Sequence, residues 1–356
     1  MLDSFGNMQL RKEDHIAICM SSDVETRESG FDSYVLHSTA LPEMALEDVC
    51  TKQTFLGTEF ALPVMIAGMT GGVEKAAQVN AALARAAQEA NVPLGLGSQK
   101  LMVRGTSADT FFDVRAHAPH VFLIGNLGAA DLNFGISVDD VLRIIDKLKL
   151  NAFAFHLNAL QECVQPEGNR NFRDVLKALE NVVRRSSVPV IVKEVGAGIS
   201  GDDYRALAAI GVAAVDVGGR GGTSWSRIEG LRGTEEDRRI GELFSRWGVR
   251  TSDALVACSR ARFVCDTPPE IIATGGIRDG VSVAKAIGLG ATLCGIGLPL
   301  LRAALSPKVG EDPAESVLRE IRFIERSLRM AMFCSGSKKL AHLQKVIRAG
   351  SGCCSC

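Results

Sequence analysis

The sequence predicts an α/β protein, a (β/α)₈ TIM barrel with an N-terminal extension and a long insertion after the sixth strand. Three observations lead there. Eight short apolar runs recur along the chain, with segments of helical period between them. The runs are continuously apolar rather than alternating, as strands covered on both faces must be. Their starts are plain and their ends are crowded with glycine and polar residues. That asymmetry belongs to barrels whose chemistry sits on the loops after the strands.

The runs are Pro63–Gly68, Pro93–Ser98, Val121–Leu127, Ala152–Asn158, Pro189–Val195, Ala213–Gly219, Glu270–Gly276 and Ala291–Gly297. Proline opens three of them, a position where its missing N–H is tolerated. Lys75–Glu89, Val138–Leu148, Phe172–Arg185 and Val281–Leu289 carry helical periodicity. Alternating strand and helix implies a parallel sheet, and eight units favour closure. Before the first run, Cys50–Phe60 reads as strand, turn and strand around Gly57, a hairpin placed to plug the barrel bottom. Between the sixth and seventh runs, roughly Arg220 to Arg250 is polar and begins glycine-rich. It exceeds the about 12–15 residues of most connections and is a candidate lid. The expected division is an extension with hairpin over 1–62, the barrel over 63–340 and a tail over 341–356.

Bulk properties narrow the function. Lys and Arg number 40 against 41 Asp and Glu, which leaves no electrostatic footprint for nucleic acid. Two Trp and two Tyr are too few for a base-stacking platform. The ten cysteines are scattered over the length of the chain and fit reduced thiols in a cytoplasmic protein. The longest apolar run, Ala286–Leu301, contains Pro299 and falls short of the about 18 residues of a membrane span. The first twenty residues carry Arg11, Lys12, Glu13 and Asp14 and lack the apolar core of a signal peptide.

The strand ends carry the chemistry. GGIRDG (Gly275–Gly280) and CGIGLP (Cys294–Pro299) follow strands seven and eight, where barrels commonly hold a phosphate. Glycines let backbone N–H groups approach the anion, a helix N-terminus adds its dipole, and Arg278 can add a charge. GGRGGTSW (Gly218–Trp225), GMTGG (Gly68–Gly72) and Asn126 point to a large, flat, polar-edged cofactor across the mouth. Lys193 shares a strand face with Ile191. If that face looks inward, its ammonium needs an anionic partner. The electron-rich edge of a reduced flavin is one, and a carboxylate such as Glu162 or Asp216 is the other. FHLNALQE gathers His156, Asn158, Gln161 and Glu162 at the end of strand four, and Glu162 suits a hard cation such as Mg²⁺. Ser98, Gln99 and Lys100 end strand two. Arg11, Lys12 and His15 sit near the N-terminus, and Arg11 and Lys12 beside Lys100 are a candidate diphosphate clamp.

Taken in order, RKEDHI (Arg11–Ile16), MTGG, GSQK (Gly97–Lys100), GNLG (Gly125–Gly128), HLNALQE, VKEVGAGIS (Val192–Ser200), GRGGTSW and GGIRDG resemble the type 2, FMN-dependent isopentenyl-diphosphate isomerases. The resemblance implies isomerisation of isopentenyl diphosphate to dimethylallyl diphosphate with reduced FMN, Mg²⁺ and NADPH as the reductant of FMN. It implies flavin contacts at Met69, Thr70, Gly71, Ser98, Asn126, Lys193 and Thr223, and phosphate contacts at Gly276, Ile277, Arg278, Gly297 and Leu298. Arg11, Lys12, Ser98, Gln99, Lys100, His156, Asn158 and Gln161 would hold the substrate. His156, Gln161 and Lys193 would be catalytic, and Glu162 would bind the metal. A homo-oligomer, tetramer or octamer, is implied as well. Two departures from the family pattern stand out: Lys100 where Arg is usual, and Gly218 where Ser is frequent. The alternatives are an FMN-dependent oxidoreductase of the hydroxy-acid oxidase type, which shares the phosphate loops but not HLN..QE, and a non-catalytic flavin-binding barrel.

Overall fold

Each predicted run supplies one strand of a closed parallel barrel in the computed structural model, which describes residues 2–69, 71, 74–103 and 112–350. The strands are β1 (Val64–Ile66), β2 (Leu94–Gly95), β3 (Leu123–Gly128), β4 (Ala152–Leu157), β5 (Val190–Glu194), β6 (Ala214–Asp216), β7 (Glu270–Thr274) and β8 (Leu293–Ile296). They pair in chain order, and β8 closes on β1 through Cys294–Ile296 against Val64–Ile66. Alternation along each strand divides the side chains. Met65, Ile124, Ala154, Ile191, Ile272 and Leu293 fill the interior. Phe153, Phe155, Val190, Val192 and Val215 face the surrounding helices. Both faces are apolar because both are covered, so the runs do not alternate.

Register carries the fold into the site. The β4–β5 pairing sets His156 beside Lys193, and the β5–β6 pairing sets Lys193 beside Asp216. A slip of one residue would turn all three away from the interior.

The predicted hairpin forms from Gln53–Phe55 and Thr58–Phe60. Its turn residues Leu56 and Gly57 have φ of +46° and +78°, the positive values a two-residue hairpin needs to match strand twist. Phe55 and Phe60 meet Phe122 at centroid distances of 6.5 and 5.4 Å. Leu56 N–H donates to Glu270 Oε1 at 2.9 Å, at the start of β7. The hairpin thus closes the barrel bottom. Phe55 is fully buried there, so Phe55→Ala is expected to cost about 3–5 kcal/mol of stability in urea unfolding.

The stretch Arg220–Arg250 is largely helical rather than a plain loop. Helices Trp225–Arg232 and Glu235–Leu243 are capped by Ser224 and Thr234. They meet at two glycines: a Cβ on Gly230 would lie 2.9 Å from Gly241 Cα. The extension is helical over Leu2–Ser21 and packs on Trp225–Arg232.

The chain from 341 onward is not a free tail as far as residue 350. Leu343 is buried and packs with helix Gly280–Gly288, and Ile347–Ala349 pairs antiparallel with Tyr34–Leu36. The apolar Leu340, Leu343 and Ile347 make this segment part of the domain. Cys353, Cys354 and Cys356 lie outside the described residues. Among the described residues, no helix is long and apolar enough to cross a membrane.

Candidate active site

A cavity opens at the C-terminal ends of the strands. It gathers most of the predicted residues. Its lining includes Met69, Gly71, Thr223, Gly276, Arg278, Gly297 and Leu298, together with Arg11, Lys12, Ser98, Lys100, Asn126, His156, Asn158, Gln161, Glu162 and Lys193. Thr70 falls outside the described residues. Two expectations are corrected. Gln99 is fully buried behind the wall, where Nε2 donates to Gly97 O (2.5 Å) and Oε1 accepts from Asn126 N (2.6 Å). It ties the loop backbone at Gly97 to the β3 backbone at Asn126 instead of facing the cavity. Ile277 packs its side chain in the core and its carbonyl accepts from Arg278 Nη1 at 2.9 Å, so only its backbone N–H could meet an anion.

The glycine lining is shaped by backbone contact. A Cβ on Gly275 would stand 2.2 Å from Gly219 O, and one on Gly276 would stand 2.6 Å from Gly221 O. The loops after β6 and β7 therefore touch along their main chains. Gly297 opens helix Leu298–Leu305; Pro299 has no N–H and the Leu300 and Leu301 amides donate to Gly297 O, which leaves the Leu298 amide to meet an anion. Arg278 is ion-paired with Glu25, and Arg302 stands 3.8 Å from the same carboxylate. Burial and then the Arg302 charge pull Arg278 down to about 10, which leaves it charged at neutrality. The donor set fits the phosphate of a flavin mononucleotide. Sequence reasoning missed Glu25 and Arg302, because Glu25 lies 253 residues from Arg278 and only the fold brings them together.

Asn126 donates Nδ2 to Leu96 O at 3.1 Å, so its Oδ1 accepts from His156 Nδ1 at 2.9 Å. This assigns the His156 proton to Nδ1 and leaves Nε2 with a lone pair. Burial, then the charges of Lys193, Lys100, Arg11 and Lys12, lower His156 to about 3. The imidazole is neutral at physiological pH.

Glu162 accepts from Asn158 Nδ2 (2.8 Å) and from Asn169 N–H. Burial pushes its carboxyl up, and these hydrogen bonds oppose the shift. Asn158 Oδ1 is buried with no partner. A carboxylate beside an unsatisfied amide oxygen is a donor set that suits Mg²⁺. Lys100, expected to be a free clamp, holds Asp131 at 2.6 Å, and Asn169 Nδ2 donates to the same Asp131 oxygen. Lys12 donates to Ser98 O at 2.9 Å and stands 5.4 Å over the Phe112 ring. Burial, then Arg11 and Lys100, lower it to about 7.

Behind Gln161 lies Glu229, fully buried on the insertion helix. Gln161 Nε2 donates to its Oε1 at 2.7 Å, His15 Nε2 lies 3.0 Å from that oxygen, and Arg232 Nη1 donates to Oε2 at 2.6 Å. His15 also stacks edge-on against Trp225 at 5.2 Å. Burial alone would raise Glu229; the bonds from His15, Gln161 and Arg232 outweigh it and hold the carboxyl at about 2. One carboxylate thus fixes the Gln161 amide and the helix that bears Arg11 and Lys12. Sequence reading missed it because its partners are brought together only by the fold.

Comparison with known proteins agrees with this geometry. The chain matches the FMN-dependent dehydrogenase family over residues 19–115 and 149–349. It is 42% identical over 336 residues to an isopentenyl-diphosphate delta-isomerase of Paracoccus zeaxanthinifaciens, covering 94% of this chain and 95% of that one. It is 41% identical over 346 residues to the enzyme of that name from Pyrococcus abyssi, covering 95% and 91%. Among solved structures, a flavocytochrome b2 variant superposes with a TM-score of 0.67 at 16% identity, covering 98% of this chain and 86% of that one. A mandelate oxidase superposes with a TM-score of 0.63 at 20% identity, covering 97% and 98%. These two likenesses establish the barrel. With the family match and the identity over nearly the whole length, the chain belongs to the FMN-dependent dehydrogenase family and, within it, to the isopentenyl-diphosphate delta-isomerases.

Proposed function

We propose that this protein converts isopentenyl diphosphate to dimethylallyl diphosphate using reduced FMN and Mg²⁺, with NADPH serving to reduce the flavin. The observation that carries this reading is that one cavity gathers the glycine loops and Arg278, the cations Arg11, Lys12 and Lys193, the amides Asn158 and Gln161, and neutral His156. The reaction adds one proton to a terminal alkene carbon and removes one from the carbon two bonds away. Atoms and charge balance without net redox change. Arg11 and Lys12 would bind the diphosphate, and Glu162 with Asn158 Oδ1 would hold the metal against it. Gln161, held by Glu229, would orient the alkene end, and Lys193 would face the cofactor's negative edge. When bound, reduced FMN supplies an electron-rich, proton-exchanging surface against the positive charge that develops on the substrate. Trp225 lines the mouth and limits water.

Lys12 gives a pH signature. In the free enzyme it is protonated below about 7 and loses its charge as pH rises through that value. Diphosphate capture should fall with it, so kcat/KM should decline above pH 7 by up to about tenfold per unit. Lys12→Arg should carry that limb out of the accessible range, read from kcat/KM against pH.

The deciding experiment is an anaerobic assay with isopentenyl diphosphate, FMN, NADPH and Mg²⁺, omitting each in turn. Turnover should vanish without FMN or metal and persist when dithionite replaces NADPH. Net oxidation of a 2-hydroxy acid without isomerisation would overturn the reading in favour of a hydroxy-acid oxidase. The seven free cysteines among the described residues suit a reducing cytoplasm. Exposed Trp247, Phe263 and Val264 suit a homo-oligomer, a tetramer or octamer.

A further inference from the structure

We propose that Asp216 is a positioning residue for Lys193, the in-register counter-charge on the neighbouring strand that favours the ammonium form facing the cofactor. The proposal rests on the reading that the cavity takes FMN, and it concerns how the chain sets the stability of the reduced cofactor.

The geometry comes from register. Lys193 on β5 and Asp216 on β6 are direct partners in a parallel pair, so their side chains leave the sheet on the same side. Both line a small space beneath the main cavity, and Lys193 also lines the main cavity. Asp216 is 2% exposed. Its Oδ2 accepts from Thr274 Oγ1 at 2.8 Å and its Oδ1 from Gly218 N at 3.2 Å. These two bonds pin the carboxylate and leave acceptor capacity on both oxygens. Lys193 Nζ donates to Glu194 O at 3.2 Å, and this is its one hydrogen bond among the described residues. An ammonium has three donors, so most of its capacity faces the cavity.

A buried ammonium without a counter-charge sheds its proton. The groups around Lys193 are Asp216 across β6, Glu194 next along β5 and His156 across β4. His156 is neutral and adds no counter-charge. The Glu194 carboxylate is engaged with the backbone N–H groups of Val195, Gly196, Ala197 and Gly198. Asp216 is the remaining carboxylate, and it is the one in register. Burial pulls Lys193 down while Asp216, then Glu194, push it back. Burial pushes Asp216 up while Lys193 and then Thr274 hold it down. Burial wins in both cases, lowering Lys193 and raising Asp216, and each charge opposes the shift that burial imposes on the other. Reduction adds negative charge at the flavin edge, and a charged Lys193 favours that form.

The test compares Asp216→Asn in two backgrounds. In FMN-loaded protein, equilibrium reduction against a reference dye is read as a function of pH. Asp216→Asn should bind FMN yet lower the reduced-to-oxidised ratio at least about tenfold, about 30 mV for a two-electron couple. In a Lys193→Met background the same substitution should change nothing further. An equal shift in both backgrounds, or no shift in the first, overturns the proposal. Thr274→Val, which frees one carboxylate oxygen and keeps the charge, should shift the ratio in the same direction by less, and serves if Asp216→Asn does not fold. Independently, ¹³C-labelled lysine NMR on flavin-free protein should show the Lys193 titration moving to lower pH in Asp216→Asn. Wild-type protein that takes up no FMN would defeat the functional reading, and the NMR titration would still decide the coupling.

Discussion

Glu229→Gln is expected to lower kcat/KM by about 10²–10⁴-fold, the range of a mispositioned proton-handling group. The substitution keeps the size of the side chain and removes its charge. Arg232 and His15 then face a neutral amide, and Gln161 loses a charge-assisted acceptor. Breaking a buried ion pair by removing one partner costs about 3–5 kcal/mol, because the other charge stays buried. The loss should therefore appear twice, in steady-state kinetics and in urea unfolding. The acid behaviour should change as well. The Glu229 carboxyl lies near 2 in the folded protein and titrates near 4.5 without its partners. Its stabilisation is present above about 4.5 and is lost as pH falls toward about 2. The variant should lack that part of the acid limb. Near-normal kcat/KM would remove Glu229 from the site's machinery.

The second large effect is expected at Glu162. Glu162→Gln should lower kcat/KM by about 10²-fold or more, about 2.7 kcal/mol in barrier, and abolish the response to added Mg²⁺. The amide oxygen can still accept from Asn158 Nδ2, but the new NH₂ would face the Asn169 N–H that the carboxylate now accepts. Hydrogen bonding at the cluster is thus damaged along with the charge. Flavin retention should be unchanged, since Glu162 lies on the helix after β4, away from the glycine loops. A Mg²⁺ titration of activity with FMN absorbance recorded on the same samples separates the two. An unaltered metal response would exclude Glu162 as the ligand.

The barrel was legible because its signals are local. Continuous apolar runs mark strands buried on both faces, and the glycine clusters fall where backbones meet, as between Gly275 and Gly219. The hairpin was legible because only a residue such as Gly57 relaxes into its turn. His156, Asn158, Gln161 and Glu162 were legible because a strand end and one helical turn place them on one rim. The counter-charges were not. Glu25, Asp131 and Glu229 meet Arg278, Lys100 and Gln161 only through the fold, and no periodicity records such pairings. Gln99 was misread because β2 ends at Gly95, and between there and the helix that starts at Lys100 the two-residue alternation no longer says which side faces the mouth. The insertion's helices carried a readable sign, since Thr234 and Asp237 form a capping box at the spacing that starts a helix.

The hairpin seated against Phe122 and Glu270 makes the barrel a cul-de-sac. With the far end stoppered by two phenylalanines, the rim that Trp225 helps to line is, among the described residues, the face left for both arrivals and departures.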